Sequence, residues 1–157
     1  MGVSGSGKST IGELLAKRLG SRFVDADSLH PLANVARMAA GHPLTDDDRW
    51  PWLRVVGDVL ATAGAPGIVV ACSTLKRSYR EAILAQAPGT KFVHLHGSRE
   101  LLAQRMGHRE GHFMPMSLLT TQLATLEPLE TDEPGMTIDI ASEPSAIIER
   151  IMRELFE

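Results

Sequence analysis

Gly2-Val3-Ser4-Gly5-Ser6-Gly7-Lys8-Ser9 opens the chain, and its reading decides the fold. The octapeptide fits G-x-x-x-x-G-K-[ST] at every required position. Behind it, Ile11, Leu15 and Leu19 share one face at four-residue spacing until Gly20 supplies a stop. Glycines let a backbone turn tightly and aim successive N–H groups at phosphate oxygens. The helix behind the loop adds its positive end. Gly2, Ser4, Gly5, Ser6, Gly7, Lys8, Ser9 and Thr10 are therefore the expected nucleotide contacts. Lys8 reaches the β- and γ-phosphates of ATP as a catalytic cation, and the Ser9 hydroxyl is a ligand for Mg²⁺. A flexible Gly/Ser terminus is the bland alternative, and the amphipathic helix in the required place argues against it.

Outward from the loop, β-like runs alternate with helical stretches, the pattern of a layered α/β domain with a parallel sheet. Strands are expected at Phe23-Val24, Ile68 to Cys72 as a buried central strand, Phe92 to Leu95, and Met136 to Ile140. Helices are expected over about 29–40, from the Thr45/Asp48 capping box onward, over 78–87, twice between 98 and 127, and from Pro144 to the end. A phosphate loop normally leaves a central strand, yet only Met1 precedes it. The expectation is a five-stranded sheet with helices on both faces, its first strand missing or truncated in this sequence. The natural chain would then begin several residues earlier.

The 157 residues suit a single domain, 1–157, and the composition, 43% hydrophobic and 22% charged, is that of an ordinary globular chain. A net charge of -3 without a basic run argues against nucleic acid. One cysteine, Cys72, excludes an internal disulfide framework. No signal peptide or membrane-length apolar run is present, so a reducing, cytoplasmic compartment without membrane partners is expected. The single asparagine sits in Asn34-Val35-Ala36-Arg37, which removes the guanine-reading Asn-Lys-x-Asp motif of GTPases. Asp132-Glu133-Pro134-Gly135 reads as a turn.

A compact kinase with a mobile lid fits best. Asp25-Ala26-Asp27 closes a strand at the edge where parallel sheets place ligands. One acid can serve the Mg²⁺ shell and the other can accept the proton of an attacking hydroxyl; both could equally be helix-cap residues. Arg105 and Arg109, four apart beside a lid at about 105–116, are candidates for charge on the transferring phosphoryl group, or are exposed loop arginines.

Longer segments carry a more specific signal. Asp25-Ala26-Asp27-Ser28-Leu29-His30-Pro31, Pro43-Leu44-Thr45-Asp46-Asp47-Asp48-Arg49-Trp50-Pro51-Trp52-Leu53, Cys72-Ser73-Thr74-Leu75-Lys76-Arg77-Ser78-Tyr79-Arg80, Gly111-His112-Phe113-Met114, Gln122 and Leu126-Glu127 occur in this order. With the phosphate loop, they make the chain resemble the gluconate kinase family along nearly its whole length. The resemblance implies ATP-dependent phosphorylation of D-gluconate at its 6-hydroxyl, a nucleoside-monophosphate-kinase-like fold and a homodimer. Against that substrate, Arg49, Lys76 and Arg80 are the expected cations. His30, Ser73 and Tyr79 are expected at hydroxyls, and His112 also at the substrate. Asp27 is placed at the reacting hydroxyl and Asp25 on the Mg²⁺ side. Each has a plainer reading: Arg49 pairs along its helix with Asp46 or Asp48, Lys76 and Arg80 form a solvated face, and His30 starts a helix. Cys72 reads as a small buried residue, and Trp50 and Trp52 as packing anchors. The rivals are a kinase for another polyol acid such as shikimate, and a nucleotide-binding regulatory module without turnover. Shikimate kinases usually carry a Gly-Gly pair where this chain has Cys72 to Lys76. Adenine contacts are sought around 139–144.

Overall fold

The computed structural model describes residues 1–107 and 115–157; Arg109, His112 and most of the expected lid lie outside them. In chain order the elements are α1 (Lys8–Leu19), β1 (Arg22–Asp25), α2 (Leu32–Ala39), α3 (Asp46–Ala61), β2 (Ile68–Ala71) and α4 (Arg77–Gln86). There follow β3 (Phe92–His96), α5 (Arg99–Gly107), α6 (Met116–Thr125), β4 (Gly135–Asp139) and α7 (Pro144–Leu155). Local chemistry explains the boundaries. Gly20 takes a left-handed conformation after α1. Thr45 and Asp48 close a reciprocal capping box at the start of α3. The helix expected over about 29–40 is α2, and a separate 3₁₀ turn, Ala26–Leu29, precedes it. Pro31 disfavours a helical His30, which is extended at φ -63°, ψ 138°.

The strands form two parallel pairs. Asp25 of β1 lies level with Ala71 of β2, and His96 of β3 lies level with Asp139 of β4. Among the described residues there are thus four strands in two small sheets rather than one sheet of five. Between the pairs runs an apolar cavity of about 560 Å³, lined by Ile11, Leu15, Val69, Val93 and Ile151 among others. The expected central strand β2 is therefore only half-buried over Ile68 to Val70. At one end of this cavity Met1 holds the pairs together. Its amine donates to the Val93 carbonyl at 2.5 Å and its carbonyl accepts from Leu95 N–H at 2.9 Å. Gly2 N–H donates to the Ser73 carbonyl at 3.2 Å.

Two apolar clusters form the core. Ile11, Leu15, Leu102, Ile138, Ile147 and Ile151 pack around β3 and β4. Trp52, Leu53, Val56, Cys72, Ile83 and Phe92 pack around α3 and α4. Each such side chain contributes about 1.5–3 kcal/mol by leaving water. Together they fix the loops at the C-terminal ends of β1 and β2, where the candidate site lies.

Candidate active site

The phosphate loop is held by its own backbone and by two outside contacts. Ser6 N–H donates to the Val3 carbonyl at 3.2 Å, and Ile11 N–H to the Gly7 carbonyl at 2.9 Å. Lys8 Nζ donates to the Val3 carbonyl at 3.0 Å, folding the cation over the loop. Gly5 has φ +80°, and a Cβ there would stand 2.8 Å from Met106 Cγ, so conformation and space both require glycine. From α6, Gln122 Oε1 accepts the Ser4 N–H at 2.6 Å. The sequence assigns Gln122 no role, because 118 residues separate it from its partner.

A second cavity, about 220 Å³, adjoins the loop and is lined by Gly5, Thr10, Arg105, Ile140, Ser142 and Pro144 among others. Arg105 is anchored here, its Nη2 donating to the Ile140 carbonyl at 2.7 Å. This cavity coincides with the stretch in which adenine contacts are sought.

At the C-terminal end of β1, Asp25 caps the 3₁₀ turn, its Oδ1 accepting from Asp27 N–H at 3.0 Å. The cap reading thus holds for Asp25, while the Asp27 side chain is left exposed on the turn. Trp52 anchors this turn, its Nε1 donating to the buried Ala26 carbonyl at 2.7 Å. His30 stacks on the Trp52 ring at 4.1 Å between centroids, and its Nδ1 meets Asn34 Nδ2 at 3.2 Å. Burial holds the His30 pKa below the usual histidine value, against the opposing charge of Asp27. Buried Asn34 also donates to the Asp48 carbonyl at 2.9 Å, tying α2 to α3. The Cys72 thiol is buried and pushed up to about 12 by desolvation, the inert state expected.

Across from the acid turn, Lys76 caps α4 while Arg49 lies in the first turn of α3. Lys76 Nζ donates to Asp46 Oδ2 at 3.1 Å and to Oδ1 at 3.3 Å. The Tyr79 hydroxyl donates to Asp46 Oδ1, and Arg49 Nη1 donates to the Tyr79 oxygen at 3.4 Å. Both cations also lie against the Tyr79 ring, with Trp50 edge-on to it at 5.6 Å. The hydrogen bond from Tyr79 and the one from Lys76 hold the Asp46 carboxyl below its usual value. The Lys76 ammonium is raised by the same bond to Asp46. The structure thus groups Arg49, Lys76 and Tyr79 around Asp46. The plainer reading of Arg49 is also present, as an ion pair with Asp46 at 3.7 Å. Ser73 meets the loop through its carbonyl.

Arg80 requires a correction. Its side chain is fully buried and its five N–H groups are engaged. Nε and Nη2 donate to Glu133 at 2.5 and 2.9 Å, Nη1 to the carbonyls of Thr74 and Glu127 at 3.1 Å each, and Nη2 to Pro128 at 3.5 Å. It pins α4 to the 127–133 loop instead of facing a substrate or solvent. Glu133, read as part of a turn, is the buried partner. Thr74 is strained between these residues, at φ +40° with a buried hydroxyl that has no partner.

Comparison with known proteins places this arrangement. The shikimate kinase family model matches residues 4–155. The chain is 48% identical over 155 residues to the gluconokinase of Gluconobacter oxydans, covering 98% of this chain and 87% of that protein. It is 44% identical to a probable gluconokinase of Xenopus tropicalis, covering 99% and 90%. A crystal structure of a gluconokinase from Sinorhizobium meliloti superposes with a TM-score of 0.88 at 50% identity, over 99% of this chain and 88% of that one. A P-loop, an acid turn and a cation cluster in one α/β frame, with relatives at this identity over nearly the full length, establish that the chain belongs to the gluconokinase family of P-loop kinases.

Proposed function

We propose that this chain transfers the γ-phosphoryl group of ATP to the 6-hydroxyl of D-gluconate, giving 6-phosphogluconate and ADP. The observation that carries the reading is the donor cluster of Lys76, Tyr79 and Arg49 closing on a carboxylate beside the acid turn. Gluconate has a carboxylate at one end and a primary hydroxyl at the other. It therefore needs cations at one end of its site and a proton acceptor at the other. Asp27 is the acceptor: as the hydroxyl oxygen bonds to phosphorus and the bridge to the β-phosphate breaks, the hydroxyl proton passes to the Asp27 carboxylate. His30 and Ser73 are assigned to the polyol hydroxyls, and Lys8 to charge on the phosphates.

The Ser9 hydroxyl and the Asp25 carboxylate supply hard oxygen donors that suit Mg²⁺, which binds through one or two carboxylates plus phosphate and water. Asp25 Oδ2 is left open by the cap contact, which uses Oδ1. Bound there, the ion would neutralise phosphate charge. The 220 Å³ cavity is assigned to the adenine, which puts Arg105 beside the nucleotide. Arg109 and His112 stay with the reading as lid residues outside the described region. A fifth strand laid in the cavity between β2 and β3 would join the two pairs into one five-stranded sheet. A single domain, a homodimer and a cytoplasmic location complete the proposal. No helix among the described residues is long and apolar enough to cross a membrane.

The test is Mg²⁺-dependent ADP release with gluconate, shikimate, glycerate and nucleoside monophosphates. Turnover confined to gluconate is expected, and comparable turnover with shikimate would overturn the substrate. Asp27→Asn should lower kcat by about 10²- to 10⁴-fold; near-normal turnover would remove the base role.

A further inference from the structure

Asp46 draws together the acceptor-side donors, and nothing in the proposed chemistry uses it. Lys76 Nζ stands 3.1 Å from its Oδ2, the Tyr79 hydroxyl donates to its Oδ1, and Arg49 Nη1 lies 3.7 Å from the same oxygen. Two cations face this carboxylate, so a positive charge is left over for a second anion. The Asp46 side chain is 44% exposed, held by its partners rather than by burial. The start of α3 does not depend on it, because Thr45 and Asp48 close the capping box. Asp47, next in the same turn, is exposed and takes no part in the cluster.

We propose that Asp46 is an internal stand-in for the acceptor's carboxylate. It occupies Lys76, Tyr79 and Arg49 while the site is empty and yields them when an acid-ended acceptor binds, and so sets how tightly such acceptors are held. The proposal rests on the reading of these three residues as the acceptor site. A substrate carboxylate presents the same pair of oxygens to the same donors. Two carboxylates on one cluster repel each other, so the entry of one loosens the other. Exposed ion pairs are cheap to open, which makes the exchange reversible.

The experiment compares wild type, Asp46→Asn and Asp47→Asn by calorimetric titration with gluconate and by steady-state kinetics. Asp46→Asn removes the competing charge and should tighten gluconate binding by about 3- to 10-fold. The change should appear in KM rather than in kcat. Asp47→Asn removes the same charge one residue away and should stay within about twofold of wild type. Asp46→Ser, which keeps a residue suited to a first helical turn, should reproduce the tightening if Asp46→Asn folds poorly by thermal melt. Weakened or unchanged binding in the folded Asp46 variants would overturn the stand-in and make Asp46 a support for Lys76 and Tyr79. Failure of wild type to bind or phosphorylate gluconate would instead overturn the reading of the acceptor site, and the stand-in with it.

Discussion

The proposed nucleotide side and the proposed acceptor side of the site are built in opposite ways. The nucleotide side is one contiguous loop whose working groups are backbone N–H groups and one lysine, and its shape follows from glycines at fixed spacing. The acceptor side is assembled from side chains on the acid turn, α3 and the N-terminal end of α4, each held by a partner distant in sequence. A loop of backbone donors tolerates most side-chain changes and fails when the lysine or a required glycine is lost. An assembly of side chains fails by degrees, through each cap, stack or pin that sets its geometry.

The largest effect should come from Lys8→Met. Its loss removes a charge aimed at the transferring phosphate, and kcat should fall about 10³-fold with every acceptor, read by ADP release. A loss that depended on the acceptor would break the division between the two sides. Next is Arg80→Met. It leaves Glu133 buried without its partner and should cost about 3–5 kcal/mol in urea unfolding, although Arg80 touches no proposed ligand. A stable variant with a selective rise in gluconate KM would return Arg80 to the substrate. Smallest is Lys76→Met, which should raise gluconate KM about 10-fold or more while ATP KM stays within about twofold. Equal changes in both would show that the two sides share this lysine.

The same contrast explains what was legible beforehand. The phosphate loop, the capping box of α3, the buried inert Cys72 and the packing role of Trp52 rest on patterns within a few residues, and each is present. The helix expected over 29–40 is present as α2 but starts at Leu32, because Pro31 holds His30 extended. Arg80 looked like a substrate cation because it shares a motif with Lys76. The two nonetheless diverge: Lys76 precedes the first turn of α4 near Asp46, while Arg80 points into the protein at Glu133. No spacing rule reveals a partner 53 residues away.

By itself the sequence determined that a nucleoside triphosphate site opens the chain, that an α/β layering follows, and that acids and cations of the right kinds are available. These are consequences of backbone stereochemistry and short-range periodicity. The tertiary structure decided which cations gather and which are consumed. It made Asp46 the shared partner of Lys76, Tyr79 and Arg49 and put Gln122 on the phosphate loop. Those outcomes depend on long-range packing, in which a charged group goes wherever burial and partners together cost least.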